Sequence, residues 1–211
     1  EAIALLEEPA YSEAVAWLRA LAAAGTVKKV VTALGEGAVG LQLGNTEDWM
    51  HDEDPALRQS FTSSIGAAAA FGMLDVDHAS GYQPCDPRNP GAPRPAYRNL
   101  DLLTAKIGDC DFDYTSRVGT TEGVRGYRFE RPGWRLWVLW NEDGVIEMPG
   151  EVESPVVYEL VLQCTADALT VTHSVTDVSA PDPVVEEISL VGECSAELEL
   201  TSVPIFVEQW L

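Results

Sequence analysis

"PRPAYRNLDLLTAKIG", residues 93–108, reads as one helix with both ends marked. Pro95 suits a first turn, where its fixed φ fits the helix and its missing N–H would lack a partner anyway. Ala96, Leu100, Leu103 and Ile107 recur at helical spacing and form an apolar stripe along one face. Lys106 in the last turn and Gly108 just beyond it predict a closing charge and a left-handed cap. From Val124 onward the pattern changes, with apolar residues alternating at period two and no return of helical spacing. The order predicts an α/β part followed by an all-β part.

Upstream of this stretch, Ser12 is placed to cap a helix through Ala14, Val15, Leu18, Leu21 and Ala22, which Gly25 interrupts. Val27, Val30, Val31 and Leu34 make a second apolar stripe that ends at Gly35 and Gly37. "AVGLQLGNTEDW", residues 38–49, reads as a buried strand of a parallel sheet running into a polar loop. Asp54 caps an expected helix from Pro55 to Ala70, and "SGYQPCDPRNPGAP" predicts an extended loop. Downstream, strands are expected at 124–130, 134–141, 155–163, 168–177, 184–192 and 196–208. The turn signals "RPG", "EDG", "PDP" and "GE" separate them, the pattern of an antiparallel sandwich. A boundary near 115–122 gives two expected domains, 1–119 and 120–211.

Composition narrows the functional classes. With 211 residues, 46% of them hydrophobic, the chain has ample material for a core. Its 34 acidic and 13 basic residues give a net charge of −21, and such a surface repels phosphate backbones and anionic lipid. Nucleic acid is therefore disfavoured as a partner. High acidity with three lysines suits extracellular or salty surroundings. No apolar run reaches the ~18 residues of a membrane span. The chain opens on Glu1, which suggests a processed or partial chain, so the lack of a leader does not argue against export.

Four cysteines, Cys85, Cys110, Cys164 and Cys194, permit three pairings. Local spacing favours Cys85–Cys110 and Cys164–Cys194, with four reduced thiols as the other reading. No C-x-x-C pair occurs and His51, His78 and His173 stand far apart, so nothing suggests zinc. "EDWMHDED" and "DCDFD" lack the glycine and closing glutamate of a calcium loop. No metal or cofactor is expected. In "WRLWVLW", residues 134–140, Trp134, Leu136, Val138 and Trp140 share one face, which core packing explains and a carbohydrate platform explains less well.

The order of elements resembles the C-terminal end of retaining glycoside hydrolases built on a (β/α)₈ barrel with a trailing β-sandwich. "VKKVVTALGEG" looks like the seventh barrel helix, "AVGLQLGNTEDW" the eighth strand and its loop, and "GMLDVD…PRPAYRNLDLLTAKIGD" the final helix. "GYRFERPGWRLWVLWNEDG" looks like the first hairpin of the sandwich and "SVPIFVEQ" its closing strand. A full barrel needs about 250 residues and roughly 115 precede the sandwich here, so the resemblance implies only about two of eight βα units. Such enzymes use two carboxylates roughly 5 Å apart. The resemblance places both before Glu1, and "LLEEPAY" has no strand before Glu7 and Glu8 that would make either a nucleophile.

Active sites of these barrels gather at the C-terminal strand ends. The resemblance thus implies that Asn45, Glu47 and Asp48 bind sugar hydroxyls and that Trp49 offers a ring face. Gln42 stands where such families often carry a tryptophan. The alternative leaves Trp49 packed under its loop and the acids solvated. Two functions follow as expectations. One is the C-terminal portion of an extracellular glycoside hydrolase-like protein, with catalysis supplied upstream and this chain inactive by itself. The other is a non-catalytic structural or carbohydrate-binding subunit at the cell surface. A cut barrel exposes strand edges, so the expected partners are carbohydrate together with the upstream part of the protein or other subunits.

Overall fold

A computed structural model describes residues 9–39, 41, 92–108, 112, 114–119, 123–142, 151–162, 168–177, 179–190 and 194–211. Within them lie two helices, α1 (Pro9–Gly35) and α2 (Pro95–Ile107). Eight strands follow: β1 (Tyr114–Gly119), β2 (Val124–Arg131), β3 (Trp134–Asn141), β4 (Val156–Val161), β5 (Ala168–His173), β6 (Val185–Ser189), β7 (Ser195–Leu200) and β8 (Ile205–Trp210). The described fold is mostly antiparallel β-sheet with two helices. The chain divides into one unit of residues 1–23, 42–102 and 175–182, and another of 24–41, 103–174 and 183–211.

α1 runs unbroken through Gly25, where the sequence predicts an interruption. The cost of one interior glycine is about 1 kcal/mol, and the run Ala22–Ala24 before it together with the buried Val27, Val30 and Val31 after it outweighs that cost. Its end is a Schellman closure: Gly37 takes φ 90° and donates to Leu34 O (3.0 Å), and Ala38 donates to Ala33 O (2.9 Å). α2 begins at Pro95 as expected, with Arg98 N–H donating to Arg94 O at 3.1 Å. Its other end differs from expectation. Gly108 is not among the positive-φ glycines and instead continues the helical pattern with a 2.8 Å bond to Thr104 O.

In the first unit, Ala23, Ala96 and Leu100 form a small apolar cluster. Asn99 stands on the same stripe of α2 and is fully buried. Its Nδ2 donates to Val175 O at 3.0 Å and its Oδ1 accepts from Val175 N–H at 2.7 Å. One side chain thereby satisfies both backbone groups of a residue 76 positions away.

In the second unit, six strands form a sheet in the order β1-β2-β3-β8-β5-β6, and β4 pairs with β7. The expected strand over 196–208 is two strands, because Pro204 lacks the N–H to continue a ladder and the chain changes sheets between them. The sequence reading missed β1, which pairs with β2 from Tyr114↔Glu130 to Gly119↔Arg125. Trp137, Leu139, Leu169, Val171 and Val207 of the large sheet share one core with Leu160, Ala196, Leu198 and Leu200 of the small one. The arrangement is sandwich-like.

The other face of the large sheet carries Tyr127, Trp134, Trp140, Phe206 and Glu208, and the helices supply its partners. Lys106 of α2 pairs with Glu208, whose Oε1 also accepts from Trp134 Nε1 at 3.2 Å. Lys28 of α1 stands 5.9 Å from the Trp140 ring centre. β3 is thus buried on both sides, with Trp134, Trp137 and Trp140 each at most 4% exposed. That excludes the strand as a carbohydrate platform.

Candidate functional site

The residues that the resemblance implicates in sugar binding, Gln42, Asn45, Glu47, Asp48 and Trp49, lie outside the described residues. So do Cys85, Cys110 and Cys164, and with them one partner or both of each expected disulfide. Cys194 immediately precedes β7, and its carbonyl accepts the Leu162 N–H at 2.6 Å.

Within the second unit, the C-terminal half of α1 and the strands β1–β3 enclose an open cleft of about 570 Å³. That volume falls in the ~300–1,000 Å³ range of small-molecule sites. Sheet register builds one wall. Arg117 stands directly opposite Tyr127, and Arg125 opposite Trp140, so these four side chains share one face across β1, β2 and β3. α1 builds the other wall with Lys28, Lys29 and Thr32, and Glu36 extends it just beyond the helix end. Close approach of the two requires glycine at the helix end, since a Cβ on Gly35 would lie 2.1 Å from Tyr127 Cδ1.

The polar groups form two local ties. Tyr127 donates its hydroxyl to Glu36 Oε1 at 2.6 Å. Burial holds the Tyr127 phenol above its usual range, the Glu36 carboxylate adds to that shift, and Arg117 opposes it. On the opposite side, Glu142 Oε2 accepts from Trp140 Nε1 at 3.0 Å and lies 3.3 Å from Arg125. Lys29 and Arg117 have no ion-pair partner among the described residues. Among the described residues, four of 11 cations and two of 15 acids line the cleft, so its lining is cationic where the described residues as a whole are acidic. Sequence reasoning missed this site because its residues are scattered from Lys28 to Glu142 and match no motif.

No group of His, Cys, Asp and Glu suited to a metal ion occurs among the described residues. No helix among them is long and apolar enough to cross a membrane.

No family model matches the chain, and no curated protein matches it. Among solved structures it is similar to a GH30 endoxylanase from Clostridium papyrosolvens C71, with a TM-score of 0.40 and 12% identity. The match covers 57% of this chain and 29% of that one, a distant structural similarity over less than a third of the enzyme.

Proposed function

We propose that this chain is the C-terminal portion of an extracellular glycoside hydrolase-like protein, whose catalytic carboxylates lie in a segment upstream of Glu1. The observation that carries this reading is the placement of β8 beside the β2–β3 hairpin. Residues 124–141 form the hairpin and residues 205–210 form the strand that closes against it, from Trp134↔Trp210 to Leu139↔Ile205. These are the segments that resemble the first hairpin and closing strand of the sandwich in barrel glycosidases. In this reading residues 1–119 belong to the end of the barrel and 120–211 to the sandwich.

Retaining hydrolysis needs one carboxyl group at the leaving oxygen and another at the anomeric carbon. The purified 211-residue chain is therefore expected to show no turnover on a panel of aryl glycosides, whereas an upstream-extended protein hydrolyses at least one of them. Turnover by the short chain, lost in Glu47→Gln or Asp48→Asn, would place catalysis in the "GNTEDW" loop and overturn the proposal. A second reading, a non-catalytic carbohydrate-binding subunit, is favoured by the cleft beside α1 and predicts an inert extended protein as well.

A further inference from the structure

The cleft between α1 and β1–β3 has a composition that core packing does not explain. Arginines at 117 and 125 occupy sheet positions on the face where Tyr127 and Trp140 are buried, and Lys29 faces them from the helix side. The described residues lining this concavity include four cations and two carboxylates in a chain of net charge −21, so a negative ligand meets attraction there rather than repulsion. Lys28 is engaged over the Trp140 ring and Arg125 beside Glu142, so Lys29 and Arg117 are the cations left to hold an oxyanion. Glu36 commits its Oε1 to Tyr127 and Glu142 its Oε2 to Trp140, and each offers its second oxygen to hydroxyl donors.

We propose that this cleft binds a small polyhydroxylated acid, with its oxyanion on Lys29 and Arg117 and its hydroxyls on Glu36 and Glu142. A bare anion satisfies only the first pair, and a neutral sugar only the second. The site does not depend on the proposed function, since a catalytic or a non-catalytic protein can carry it.

Titration of the 211-residue chain with D-glucuronate, D-glucose and inorganic sulfate at matched low ionic strength tests the inference. Isothermal calorimetry or amide chemical shifts of Lys29 and Arg117 give the readout. The expected order is glucuronate tightest, sulfate weaker and glucose undetectable. Each exposed cation is worth about fivefold in affinity, so Lys29→Gln with Arg117→Gln weakens glucuronate binding more than tenfold. Arg131→Gln, outside the cleft, leaves it unchanged. Absent glucuronate binding, or binding untouched by the double variant, overturns the assignment. Sulfate or glucose binding as tightly as glucuronate overturns it too, because either result removes one half of the proposed recognition. Glycosidase activity of an upstream-extended protein is independent of every one of these outcomes.

Discussion

Asn99 offers the sharpest test of how the structure is held together. Its amide closes a two-bond ring with Val175, at 3.0 and 2.7 Å, in full burial. Replacement by alanine removes both partners and leaves the N–H and C=O of Val175, itself buried, with nothing to bond. An unsatisfied buried polar group costs about 1–3 kcal/mol, so the pair costs about 2–6 kcal/mol in Asn99→Ala. Hydrogen exchange at the Val175 amide reads this directly, and 2 kcal/mol corresponds to about 30-fold faster exchange.

Asn99→Asp refines the test. An ionised carboxylate accepts from Val175 N–H but faces Val175 O with a second acceptor, which is repulsive and buried. A protonated carboxyl restores the donor. The folded state therefore raises the pKa of Asp at this position above its ordinary value of about 3.9. The variant's stability is then fullest below pH 4 and is lost as pH rises through the raised value. Urea midpoints at acidic and neutral pH check the sign. Val175 exchange within threefold of wild type in Asn99→Ala, or an Asp variant equally stable at both pH values, would refute the reasoning.

Other consequences are as direct. Lys106→Met strands Glu208, which is 13% exposed, and is expected to cost about 2–4 kcal/mol by chemical denaturation, with most of it recovered by adding Glu208→Gln. Gly126→Ala would put a Cβ 2.0 Å from Val138 O, so β2 and β3 must part, and a loss of about 1–3 kcal/mol or more is expected in the same assay. Tyr127 and Tyr158 both have pKa values raised above 10.0, by burial first, so stability is intact below pH 10 and falls as pH rises through the raised values. Ultraviolet titration in which all six tyrosines ionise together at the ordinary value would contradict this. For the cysteines, we propose Cys164–Cys194, because the Leu162–Cys194 backbone bond brings the chain to within two residues of that pairing. Peptide mapping without reduction should recover the linked peptide, and crossed pairs would refute it.

Where burial follows residue type, the fold was legible in the sequence. The β2–β3 hairpin falls where the alternation and "RPG" predict it, with Gly133 at φ 77° in the turn. β1, "YTSRVG", escaped notice because an edge strand needs one ladder and no continuous apolar face, so Thr115, Ser116 and Arg117 leave little alternation to read. Asn99 escaped for the opposite reason. Its position on the α2 stripe predicts burial, yet its side chain is one that burial penalises unless every bond is made. Pro204 was visible, but its consequence was not, since a sheet change looks like a short turn until both sheets are known.

The cleft shows a different limit. Lys28 and Arg125 are almost a hundred residues apart in the chain, and nothing in either neighbourhood marks them as partners. What joins them is register. Because Tyr127 and Trp140 must turn toward α1 to be buried, period two forces Arg125 to the same face, and the β1–β2 pairing forces Arg117 there as well. A slip of one residue would send both arginines to the opposite face of the sheet, onto the apolar core shared with β4 and β7, where an unpaired charge is prohibitive. The burial of the aromatics thus fixes where positions 117 and 125 point but leaves open which residues occupy them. Exposed positions on this sheet would accept Thr or Glu at no cost to the core, and acidic residues outnumber basic ones in this chain by 34 to 13. The arginines are therefore the part of the site that folding alone does not demand.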